Sequence, residues 1–66
     1  MTMDAKTKLI SKIAEMTTKQ ILDCLAMIGG GMVAVEQRMV RAYLFEEYEK
    51  REGGEALDEL FEAMGM

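Results

Sequence analysis

Proline, histidine and tryptophan are absent from this chain, and cysteine occurs once, as Cys24. Without proline, breaks between helices fall to glycine, the residue that enters the left-handed backbone region without steric cost. The lone Cys24 forms no internal disulfide, and with no histidine and no second thiol a structural zinc site is excluded. The missing histidine also removes the side chain that most often moves protons in catalysis. Ser11, the one serine, stands in a lysine-rich segment and has no such base to activate it. We read no catalytic residue, no cofactor and no metal ligand, and expect a protein that is not an enzyme. Long apolar runs are missing too. The longest uncharged stretch, Cys24 to Val35, has 12 residues with three glycines among them, too short to span a bilayer. The N-terminus alternates lysine with apolar residues and lacks the apolar core of a signal peptide, so a cytoplasmic location is expected.

What the chain does have is helical patterning cut by glycine. Gly29-Gly30-Gly31, Gly53-Gly54 and Gly65 each follow apolar residues at helical spacing, where helices commonly end. Half of the residues are hydrophobic, which is too many for a disordered chain. The pattern predicts a single all-α domain over 1–66, a small bundle of three main helices plus a short C-terminal fourth. A chain this short buries only about 60% of its unfolded surface. Lacking disulfides and metal, it is expected to gain stability by oligomerisation, and we expect a homodimer.

The first helix is predicted over 4–15, with Asp4 as N-cap and Ala5, Leu9, Ile13 and Met16 on one face, Ile10 at its edge. Thr17 to Gln20 fits the capping box and starts a second helix over 18–28. Its stripe is Ile21, Leu22, Leu25 and Ile28, with Cys24 at the margin as a small, partly buried residue. A fourth helix over 55–64 puts Leu57, Leu60, Phe61 and Met64 on one side, and Glu55, Asp58, Glu59 and Glu62 on the other. Such a short helix does not persist alone and must dock on its own core or exchange onto a neighbouring chain.

The third helix, predicted over 32–51, carries most of the information. Val33, Val40 and Leu44 form its main apolar face, widened by Met32, Met39, Tyr43 and Tyr48. Val35, Ala42 and Phe45 form a second strip opposite, bordered by Arg38 and Arg41. A helix apolar on two sides is either central in its fold or buries the second side against another chain. Glu46–Lys50 and Glu47–Arg51 are correctly oriented i,i+4 pairs. Glu36 and Glu47 fall within the main apolar arc but lie about 16 Å apart along the axis, too far to share a proton or a metal. Antiparallel pairing with a second copy would instead bring Glu36 near Lys50 or Arg51 of that copy.

Charge is uneven along the chain. Residues 1–35 carry four lysines against three acids, whereas residues 36–66 carry four basic residues against nine acids. That acidic second half disfavours nucleic acid and suits a basic protein surface. A helix-turn-helix reading of the second and third helices, and with it a DNA-binding or transcription-modulating role, is the alternative. It would rest on Arg38, Arg41 and Lys6, Lys8, Lys12 and Lys19. Eight methionines are many for this length and adapt well to irregular binding surfaces. Met16, Met39 and Met64 are assigned to the core, and Met3, Met27, Met32 and Met66 to the surface.

The segment Glu36-Gln37-Arg38-Met39-Val40-Arg41-Ala42, running on into Glu46-Glu47-Tyr48-Glu49-Lys50-Arg51, resembles a pattern in small helical proteins of phages and mobile elements. The resemblance implies a short accessory factor that binds and blocks a host protein, such as an inhibitor of a CRISPR or restriction complex. The expected function is therefore non-catalytic protein binding, with a host protein or complex as partner. Val35, Arg38, Arg41, Ala42 and Phe45 are the expected contact strip, and Glu55, Asp58, Glu59 and Glu62 steer a basic partner.

Overall fold

The computed structural model describes residues 4–65, which fold into four α-helices and no strand. These are α1 (Ala5–Glu15), α2 (Thr18–Ile28), α3 (Val35–Glu52) and α4 (Gly54–Ala63). Asp4 caps α1 by accepting the Thr7 N–H at 2.7 Å. That bond to the charged carboxylate holds the Asp4 carboxyl below its ordinary value of 3.8. The predicted capping box at the start of α2 is complete: Thr17 Oγ1 accepts from Gln20 N–H at 3.1 Å, and Gln20 Oε1 accepts from Thr17 N–H at 2.9 Å. Gly29 and Gly53 end α2 and α3 at φ of 79° and 95°, conformations that other residues rarely adopt.

The third helix begins three residues later than predicted. Met32, Val33 and Ala34 belong to the connection, and Met32 is 99% exposed. The Arg41 guanidinium, one and a half turns into α3, donates to both Gly29 O and Gly31 O at 2.9 Å. These bonds tie the glycine turn to α3.

All three shorter helices pack on α3. The buried core is Ile13 of α1, Ile21 and Leu25 of α2, Leu44 and Phe45 of α3, and Leu57 of α4. Leu44 and Phe45 come from the two separate apolar strips of α3, so the helix is central in its own chain. Phe45 corrects the expected contact strip. It is 9% exposed and meets Phe61 of α4 edge-on, ring centroids 4.8 Å apart at 81°. The fourth helix thus docks on its own chain and covers the position that the strip needed.

A second arginine fixes the other end of the bundle. Arg51, paired with Glu47 at 3.1 Å, donates to Ala14 O at 3.1 Å and Ile13 O at 3.4 Å, and lies 3.5 Å from Thr18 Oγ1. It satisfies carbonyls at the C-terminal end of α1, where a helix leaves acceptors unpaired and a cation is favoured. These contacts set directions. Arg51 at the end of α3 meets the end of α1 and the start of α2, while Arg41 near the start of α3 meets the end of α2. Helix α1 therefore runs with α3, and α2 runs against it. The Cα atoms span 41 × 26 × 16 Å, a slab about two helices deep for axes 8–10 Å apart.

Three outcomes are expected. Phe45→Ala lowers unfolding free energy by about 3 kcal/mol in a denaturant titration, whereas Val35→Ala changes it by less than about 0.5 kcal/mol. Arg51→Met lowers it by about 1–2 kcal/mol, and Arg51→Lys recovers only part, because one ammonium cannot reproduce the fork of contacts. For Asp4, the capping contribution is full above pH 3.8 and is lost as pH falls through the lower folded-state value. Helicity of the wild type should drop over that acid range by more than that of Asp4→Asn, which keeps the cap without the titration.

Candidate functional site

Helices α1, α2 and α4 pack on α3, and a groove stays open between α1 and α3. Two adjoining shallow cavities, of about 160 and 200 Å³, share Tyr43 as a common wall. Toward the start of α3 the groove is bounded by Leu9 and Lys6 of α1 and by Glu36, Met39 and Val40 of α3. Toward its end the walls are Ile10 and Ile13 against Glu46, Glu47 and Lys50. Ile10 is 45% exposed and Met39 is 50% exposed, although neither belongs to a loop. Met39 is thus a correction: it was assigned to the core and stands on the rim of the groove.

Charges along the groove are Lys6 and Glu36 toward the start of α3, and Glu46, Glu47 and Lys50 along its other half. The Glu47 carboxylate is engaged by Arg51, while Glu36, Glu46 and Lys50 form no ion pair with any described side chain. The second predicted pair, Glu46–Lys50, is therefore not made. A third depression of about 380 Å³ lies between α1 and α2, lined by Lys12, Met16, Gln20, Asp23 and Cys24. Its exposed lining is mostly apolar although Lys12, Gln20 and Asp23 border it, and Cys24 is half-buried there.

The sequence-predicted contact residues do not form one surface. Val35, Arg38 and Ala42 are exposed on α3. Arg41 is half-buried and engaged with the glycine turn, and Phe45 is in the core. Glu55, Asp58, Glu59 and Glu62 all stand exposed on α4. Of the cations considered for DNA, Lys6, Lys8, Lys12, Lys19 and Arg38 remain exposed, but Arg41 is held by carbonyls. Met27 and Met32 are exposed as assigned, whereas Met3 and Met66 lie outside the described residues.

The residues that sequence reasoning missed are Leu9, Ile10, Met39 and Tyr43 as a shared surface. One signal pointed to them. The main apolar arc of α3, widened by Met39 and Tyr43, covers about half of the helix circumference, more than one short neighbour fills. Among the described residues, no three His, Cys, Asp or Glu side chains come close enough to hold a metal ion, and no helix is long and apolar enough to cross a membrane. Compared with models of protein families, with curated proteins and with solved structures, the chain matches none of them.

Proposed function

We propose that this chain is a non-catalytic protein-binding factor that works through the α1/α3 groove. The observation that carries the reading is apolar side chain left on the rim of a groove in a bundle whose helices have already closed their core. Ile10 and Met39 flank the half-buried Tyr43, with Leu9 and Val40 lining the groove beside them. Contiguous apolar surface with charge at its edges is what a protein partner covers. A methionine on the rim adapts to an irregular partner surface. The exposed carboxylates of α4 act at longer range, drawing in a basic partner without forming the contact itself. An inhibitor of a host defence complex is the specific form of this function that the resemblance of the α3 segment implies.

The test is capture of binding partners by the wild-type chain and by an Ile10→Asp/Met39→Asp double variant, each washed at low and high salt. The wild type should retain its partner at both salt concentrations, because apolar contact is little screened. The double variant should stay helical and lose the partner at least tenfold. A ligand that the double variant still holds, or a nucleic acid released steeply by salt, would contradict the reading.

A further inference from the structure

We infer that α4 is a hinged cover on the second apolar strip of α3: it opens as a unit about Gly53–Gly54 and bares Phe45, while α1, α2 and α3 stay together. The inference does not rest on the α1/α3 groove, which is lined by no residue of α4.

The hinge gives the first support. One residue, Gly53 at φ 95°, separates α3 from α4, and Gly54 is the first residue of α4. Gly53 is needed for its left-handed backbone. Gly54 is not: its φ lies outside that region, and a Cβ added there would meet nothing within 4 Å. The closed fold therefore makes no use of Gly54, although glycine gives up more conformational freedom in a helix than alanine does. Two consecutive glycines keep the junction free to turn.

The second support is how the helices are fastened. Arg51 donates to carbonyls of α1, and Arg41 donates to Gly29 at the end of α2 and to Gly31 beyond it. Among the described residues, no side-chain hydrogen bond or ion pair joins α4 to the rest of the chain. Apolar contact holds it, with Leu57 buried and Leu60, Phe61 and Met64 half-buried. The start of α4 has no side-chain cap. Both arginine ties lie within α1, α2, α3 and the glycine turn, so they survive when α4 leaves.

Charge adds a third support. Residues 1–53 carry eight acids and eight basic residues, so the net charge of −4 resides wholly on Glu55, Asp58, Glu59 and Glu62 of α4. Glu49 and Glu52 are exposed near the end of α3, on the other side of the hinge. Like charge on both sides opposes closure. What α4 shuts is specific. Val35 and Ala42 are exposed on the strip whose third member, Phe45, is covered edge-on by Phe61. Opening joins Phe45 to them, so docking of α4 sets how much apolar strip α3 presents.

The test is native-state amide exchange on the wild type, Ile21→Val and Phe61→Leu, under conditions in which rates follow the opening equilibrium. In the wild type, the amides of residues 58–63 should exchange about tenfold faster than those of Leu25 and Leu44, with one common dependence on denaturant. Ile21→Val should speed Leu25 and Leu44 about fivefold and leave α4 unchanged, because Ile21 keeps its contacts when α4 opens. Phe61→Leu should speed α4 about fivefold, because opening breaks the Phe45–Phe61 contact. If Ile21→Val speeds α4 as much as Leu25, α4 opens only with the whole fold and the inference fails. It fails as well if α4 is indifferent to Phe61→Leu, or if its amides exchange in a gradient from the helix end without denaturant dependence, since the helix then frays without baring Phe45. None of these results bears on partner capture by the α1/α3 groove.

Discussion

Every other element of this chain depends on α3. Among the described residues it is the only helix longer than 11 residues, and α1, α2 and α4 each find packing on it. Helices of 10 or 11 residues are marginal alone in water. They persist because α3 offers Leu44 on one side and Phe45 on an adjacent one, so that two neighbouring positions reach the core. Arg41 and Arg51 complete the arrangement from the same helix. Each bonds backbone carbonyls that a helix end or glycine turn would otherwise expose, and each thereby fixes where a preceding helix lies. No buried side-chain nitrogen or oxygen among the described residues is left without a partner, so these polar contacts close fully.

A hub that short helices must surround leaves a gap where they do not reach. Helix α1 is held at its end by Arg51 and buries only Ile13 fully, so its outer edge at Ile10 stands away from α3. On the other side, α4 brings Phe61 across Phe45 and shuts that flank. The α1/α3 groove stays open beside α1, and Val35, Arg38 and Ala42 stand exposed on another part of α3. Glu55, Asp58, Glu59 and Glu62 lie outward on α4, away from the groove, while Glu36, Glu46 and Glu47 border it. This division of roles, apolar contact on one face and net charge on another, is what the proposed function uses.

Much of this was legible in the sequence. The bounds of α2 follow from the Thr17–Gln20 capping box and from Gly29, both local devices whose partners lie within three or four residues. Helix α4 is shifted by a single position from its predicted range, because the Leu57, Leu60 and Phe61 stripe has one apolar side only. The start of α3 was not legible. Met32 and Val33 continue its apolar spacing, whereas in the structure they belong to the connection whose glycine carbonyls Arg41 holds. Phe45 was misread for a related reason: a helical wheel shows that two sides are apolar but not how many neighbours surround the helix. The groove depends on how far apart α1 and α3 settle, and periodicity carries no record of that distance.

The dependence on α3 is tested most directly by native-state hydrogen exchange, followed amide by amide. If α3 is the hub, the slowest amides lie around Val40–Tyr48 and at Ile21 and Leu25, and they open together, with no protected state in which α1 and α2 survive without α3. Persistent protection of α1 and α2 after the centre of α3 has exchanged would show an independent helical pair and contradict the account.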